Sequence, residues 1–163
     1  MEALNVEMDS DGKLIEKKEE RRAKVFWYHG PGGSGKTWSI KKRIIELCNS
    51  GECSLETITK IDEIQNGFVI GDIAENTEVL WIDDFRGSDM PYNRLLKLLD
   101  GRNVSVKGSH RYIAAKYIFI SSPMSPKDCY CNLSSKDGIY QLERRIEQII
   151  DLTPETEPEW DPI

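Results

Sequence analysis

Residues 24–37 read K-V-F-W-Y-H-G-P-G-G-S-G-K-T, and the fold is decided here. Val25 to His29 is a short run of β-branched and aromatic residues that stops at Gly30, the pattern of a buried strand. Gly30-Pro31-Gly32-Gly33-Ser34-Gly35-Lys36-Thr37 then satisfies G-x-x-x-x-G-K-[ST] at every position. Glycines let backbone N–H groups turn inward around phosphate oxygens. A helix starting at the end of such a loop adds its N-terminal dipole. Lys36 supplies a point charge for β- and γ-phosphates, and Thr37 a hydroxyl for Mg²⁺. Residues 37–48, T-W-S-I-K-K-R-I-I-E-L-C, place Ile40, Ile44, Leu47 and Cys48 at helical spacing, and Asn49-Ser50-Gly51 stops the helix. The motif therefore has the strand before it and the helix after it that its mechanism needs.

A phosphate loop of this kind works with an acid at the tip of a neighbouring strand. T-E-V-L-W-I at 77–82 reads as a buried strand, and it ends at Asp83-Asp84. In such a pair Asp83 holds the magnesium and Asp84 polarises the attacking water. K-Y-I-F-I at 116–120 reads as a third buried strand and ends at Ser121-Ser122-Pro123, where a polar side chain can touch a γ-phosphate. Between them, 91–99 reads as a helix with Pro91 in its first turn. Residues 104–114 read as a hairpin turning near Lys107-Gly108-Ser109. Lys107, His110 and Arg111 make its tip basic, suited to gripping a phosphate backbone. G-I-Y-Q-L-E-R-R-I-E-Q-I-I at 138–150 reads as a last helix with Leu142, Ile146, Ile149 and Ile150 on one face. Arg144 and Arg145 lie on it. Either is a solvated charge or an arginine finger for a neighbouring subunit's γ-phosphate. Arg145, beside the apolar face, is the better held of the two.

The chain has 163 residues, about one domain. Apolar residues are 39% and charged residues 31%, which excludes a wholly disordered chain. No apolar run approaches the roughly 18 residues of a membrane span, and the first residues carry no secretory pattern. The net charge is −6, but residues 23–150 hold 16 acids and 17 bases, so the acidity belongs to the ends. A polyanion contact must then be local rather than spread over a basic surface. Residues 1–23 read as a flexible stretch followed by a solvated helix or linker over 13–22. Residues 151–163, acidic with three prolines, read as a disordered tail. Cys48, Cys53, Cys129 and Cys131 are spaced C-x4-C and C-x-C, a poor match to zinc pairs, and read as free thiols.

Taken in order, G-P-G-G-S-G-K-T, V-L-W-I-D-D-F, V-S-V-K-G-S, Y-I-F-I-S-S and Q-L-E-R-R-I resemble superfamily 3 helicases. They look most like the ATPase domain of replication-initiator (Rep) proteins of small circular single-stranded DNA viruses, on the circovirus and smacovirus side. The resemblance covers residues 24–150. It implies an α/β P-loop NTPase of the ASCE, AAA+-like type with a central, mainly parallel sheet flanked by helices. It implies ATP and Mg²⁺ bound between the subunits of a homo-oligomeric, hexameric ring that translocates 3′ to 5′ on single-stranded DNA. Lys107, with His110 beside it, falls in the family's pore hairpin that holds the DNA. An arginine from Arg144 and Arg145 would complete the neighbour's site. The host nucleus is the location so implied.

The sequence departs from the family at Ser121-Ser122-Pro123, where many members carry a sensor asparagine, and Ser122 is the expected substitute. The upstream nuclease expected of an initiator is not in this stretch, whose only histidines are His29 and His110. The chain reads as a helicase fragment starting in the linker, with residues 1–23 part of the oligomerisation segment, a truncation that can leave it monomeric when isolated. Two other readings compete. One is a nucleotide-dependent DNA-binding module, inactive as an isolated fragment. The other is a P-loop small-molecule kinase, which would need an arginine-rich lid. Between the loop and Asp83 only Lys41, Lys42, Arg43 and Lys60 are basic.

Overall fold

The computed structural model describes residues 6–16, 23–100, 104–106, 109–111, 115–134 and 138–154. The chain opens with an antiparallel hairpin, β1 (Val6–Met8) against β2 (Leu14–Glu16). Its turn is built by Asp9, whose carboxylate accepts the N–H groups of Asp11 and Lys13, and by Gly12 at φ 76°. This corrects the flexible reading over residues 6–12 and the helix reading over 13–16, while residues 1–5 lie outside the described residues. An Asx turn between apolar pairs outweighs helix propensity. Residues 17–22 lie outside the described residues.

Next come β3 (Lys24–His29), α1 (Lys36–Asn49) and β4 (Ile58–Ile61). The short hairpin β5 (Ile64–Gln65) and β6 (Phe68–Val69) follows. Its Asn66-Gly67 turn, with φ 53° and 81°, is the two-residue type that matches strand twist. Then come β7 (Val79–Ile82), α2 (Tyr92–Leu99), and the hairpin β8 (Val104–Val106) with β9 (Ser109–Arg111). The chain finishes with β10 (Tyr117–Ser122), α3 (Pro126–Cys129), α4 (Tyr140–Glu143) and β11 (Gln148–Asp151).

Five strands form one parallel sheet in the order β11-β3-β10-β7-β4. The fold is α/β, with helices on both faces. The period-2 alternation of the strands divides the core in two. Phe26, Tyr28, Val79, Trp81 and Phe119 face Ile40 and Ile44 of α1. Val25, Trp27, Leu80, Ile82, Ile118 and Ile120 face Leu95, Leu98 and Leu99 of α2 and Leu142 of α4. A sheet buried on both faces needs such unbroken apolar runs. Each fully buried side chain of this kind contributes about 1.5–3 kcal/mol. A second sheet, in the order β5-β6-β8-β9, carries the expected hairpin, whose turn residues 107 and 108 lie outside the described residues.

The expected final helix divides into a short helix and a strand. Helix α4 is four residues long, and residues 148–151 pair in parallel with β3. The Glu147 N–H donates to the Val25 carbonyl at 2.8 Å and starts that pairing. Ile149 and Ile150, stiff at χ1, are good edge-strand residues. Their spacing to Leu142 is coincidental. Leu152 N–H still bonds the His29 carbonyl, so the ordered chain extends past residue 151, and residues 155–163 lie outside the described residues.

Candidate functional site

From β3 the chain passes through α1, on one sheet face, to β4 at the far edge. From β10 it passes through α4, on the other face, to β11 at the opposite edge. Adjacent strands β3 and β10 thus send their connections in opposite directions. A crevice opens beyond the carboxyl ends of strands at such a point. Residues 30–37, Asp83, Asp84, Ser121 and Ser122 all stand at that end of the sheet.

The loop between β3 and α1 is held by close packing at its start. A Cβ at Gly30 would stand 2.8 Å from Ser34 Oγ and 3.1 Å from the Leu152 carbonyl carbon. Gly30 N–H donates to the Ser122 carbonyl at 3.2 Å, which ties the loop to β10. Gly33 and Gly35 take φ 78° and 90°, where a side chain would be strained, and Gly35 caps α1. Pro31, Gly32 and Gly33 are exposed, with open space where Cβ atoms would be at Gly32, Gly33 and Gly35. The Lys36 ammonium folds back over the loop and donates to the Gly30 carbonyl and, at 3.4 Å, to that of Pro31. Thr37 is exposed in the first turn of α1. Ser34 Oγ is buried with no hydrogen-bond partner among the described residues.

Asp83 follows β7 and is half-buried. Its Oδ1 accepts the Ser121 hydroxyl at 2.7 Å. The Ser121 oxygen in turn accepts the Asp84 N–H at 3.0 Å. Asp84 sits at φ 51°, left-handed for a non-glycine residue, and its carboxylate is 65% exposed, 3.6 Å from Arg86. Such a conformation costs of order 1–3 kcal/mol, and residues held so cluster at functional sites.

Ser122, the expected sensor, is not the serine that reaches the acids. It is 0% exposed, donates to the Phe85 carbonyl at 2.6 Å and accepts the Met124 N–H at 3.1 Å. Alternation decides this. Ser121 lies in register with Tyr28 and so faces α1, whereas Ser122 faces the other layer. Counting faces along Tyr117–Ser122 in the sequence would have found it.

The two arginines separate as well. Arg145, 13% exposed, grips Asp100 through Nε at 3.0 Å and Nη2 at 3.3 Å, and donates to the Gln141 carbonyl at 2.6 Å. Its guanidinium joins α4 to the end of α2, so Arg145 is the better held of the two through contacts within its own chain. Arg144 is exposed, with its guanidinium 5.9 Å from the Tyr140 ring. Both precede β11, whose first residue pairs with Phe26, so they lie toward the amino ends of the strands, away from the loop of the same chain. Lys107 lies outside the described residues. His110 pairs with Ser105 across the hairpin.

Sequence reasoning passed over Lys60. It stands on β4 in register with Trp81, its ammonium 4.8 Å from the indole centroid, 3.2 Å from Asp62 Oδ1 and 3.6 Å from Asp83 Oδ2. Burial lowers its pKa, but the hydrogen bond to Asp62 and the Asp83 charge outweigh burial, and the net shift is upward. The cysteines are free thiols. Cys48 and Cys53 sulfurs are 3.5 Å apart, and burial with the Cys48 contact pushes the Cys53 thiol up to about 11. Among the described residues no three histidine, cysteine or acidic side chains gather as a metal cage. Mg²⁺ needs no such cage, since one carboxylate with substrate phosphates and water suffices. Half-buried Asp83 and exposed Thr37 fit that requirement.

Among the described residues no helix is long and apolar enough to cross a membrane. No protein-family model matches the sequence, and no curated protein matches it.

Proposed function

We propose that this chain is the ATPase domain of a superfamily 3 DNA helicase of the viral replication-initiator kind. It would bind ATP and Mg²⁺, assemble as a ring and move on single-stranded DNA in rolling-circle replication. One observation carries the NTPase part. The glycine loop, the Asp83-Asp84 pair and Ser121 converge at the crevice between oppositely directed crossovers, each from a different strand of one parallel sheet. The helicase and viral parts rest on the resemblance of the ordered motifs.

In this reading the backbone N–H groups of residues 32–37 and the amino end of α1 cradle the phosphates. Lys36 exchanges its contacts with the Gly30 and Pro31 carbonyls for β- and γ-phosphate oxygens. Thr37 and Asp83 would hold Mg²⁺, which supplies charge neutralisation at the transferring phosphoryl group. Ser121 orients Asp83 through its hydroxyl. It also fixes the Asp84 backbone, so that the Asp84 carboxylate can accept a proton from water. Arg144 reaches a neighbouring subunit's nucleotide. Because both arginines lie far from their own loop, a lone subunit is a nucleotide-binding module with little turnover. That reconciles the enzyme reading with the inactive-fragment reading.

The test is calorimetry of ATP with Mg²⁺, paired with ATPase rates across protein concentration, with and without single-stranded DNA. Lys36→Ala should weaken ATP binding and take turnover to background. Turnover equal to the parent's would defeat the assignment of the loop. A rate per subunit that stays flat while rings form would defeat the shared site.

A further inference from the structure

Both oxygens of the Asp83 carboxylate are engaged. Oδ1 accepts from Ser121 at 2.7 Å, and Oδ2 faces the Lys60 ammonium at 3.6 Å. The same ammonium is 3.2 Å from Asp62, two residues further along the chain. The Trp81 indole, in register with Lys60, forms the floor on which the ammonium rests at 4.8 Å from the ring centroid. Lys60 is thus a cation shared between two carboxylates. One is the metal acid of the proposed function. The other, Asp62, is 71% exposed and serves no other site described above. An ammonium and a divalent cation seek the same carboxylate lone pairs and repel each other when close.

We propose that Lys60 is a positioning residue that gates cation entry at Asp83: without a divalent cation its ammonium bridges Asp62 and Asp83, and on cation binding it withdraws onto Asp62. The pair therefore sets the metal affinity of the site. This rests on Asp83 being the metal acid. The long lysine stem allows the movement, the nearer carboxylate is already the one to which it would retreat, and the indole face supports a cation along the way.

The signs of the effects are opposed. Lys60→Met keeps the stem and removes the charge, so the metal should bind about 3- to 10-fold more tightly. That is the repulsion between a unit charge and a dication about 6 Å apart in a water-like dielectric, reduced by salt. Lys60→Arg keeps the charge and should stay within about twofold of the parent. Asp62→Asn removes the place of retreat, so affinity should fall by about the same 3- to 10-fold. That fall should largely vanish in the Lys60→Met background, because the two residues act as one unit.

Mn²⁺ binding is read from the free-ion spin-resonance signal, with the protein alone and with a non-hydrolysable ATP analogue. Binding of the analogue in EDTA is measured in parallel and should be unchanged by either Lys60 substitution. Lys60→Met with parental or weaker Mn²⁺ affinity overturns the gate. An equal fall for Asp62→Asn in both backgrounds overturns the place of retreat. A parent that binds Mn²⁺ but not the analogue defeats the proposed function and leaves the Lys60 comparison readable. A parent that binds neither defeats both.

Discussion

The two ends of the parallel sheet treat charge in opposite ways. At the amino ends of the strands, Arg145 and Asp100 form a two-point fork, and Nη1 of the same guanidinium donates to the Gln141 carbonyl and side-chain oxygen. The Arg145 guanidinium is thereby bound up within the chain, while its neighbour Arg144 stays exposed. At the carboxyl ends, among the described residues, Lys36 is held only by loop carbonyls and Ser34 Oγ has no partner, and Asp84 is exposed on left-handed backbone. A satisfied polar cluster joins elements. A cluster with spare valence and strained backbone is a place where something else is meant to bind. Arg144 and Arg145 are neighbours in sequence and fall on opposite sides of this distinction.

That comparison can be broken most directly by substituting each arginine. Arg144→Ala should leave the melting temperature within about 2 °C and lower the ATPase rate of assembled rings by about 10³-fold or more, the scale of an arginine finger. Arg145→Ala should do the reverse in kind. It strands the partly buried Asp100 charge and should cost about 2–3 kcal/mol of stability, seen as a lower midpoint in urea. A stable Arg145→Ala protein with abolished turnover would reverse the assignment.

Asp84→Asn sharpens the same contrast within the crevice. It should spare ATP binding and folding and lower the hydrolysis rate by about 10²- to 10⁴-fold, since a proton acceptor is lost while Asp83 stays. Parental hydrolysis would remove Asp84 from the chemistry. The smallest effects separate the two serines. Ser122→Ala leaves a buried carbonyl and N–H short of a partner and should cost about 1–3 kcal/mol in urea unfolding, with little change in metal affinity. Ser121→Ala should cost less than about 1 kcal/mol of stability and weaken Mn²⁺ binding severalfold, because Asp83 loses the donor that orients it. Equal behaviour of the two would mean that the faces of β10 carry no functional distinction.

Much of the layout was legible along the chain. Val25–Tyr28 and Val79–Ile82 are apolar without interruption because both faces of a parallel sheet are covered, and that signal is local. The loop at 30–37 was legible because its glycines answer to backbone geometry that no other residue meets easily. Ile149 and Ile150 misled because apolar residues at 142, 146, 149 and 150 suit a helix face and a short strand alike. Only the free edge of β3, a distant partner, selects the strand. The Asp9 turn was missed because its effect depends on pairing Val6–Met8 with Leu14–Glu16, a contact that propensity does not see.

By itself the sequence determined the class of architecture, the glycine-rich loop at Gly30–Thr37 and the strand-end acids Asp83 and Asp84. Each of these is written in contiguous residues whose physics is short-ranged. Tertiary structure alone decided which serine meets Asp83, which arginine is exposed and that Lys60 stands on Trp81 beside Asp83. Those outcomes depend on strand order and register, which bring residues 60, 83 and 121 together from separate strands. Such neighbours are chosen by the packing of the whole sheet, and no window of sequence contains them.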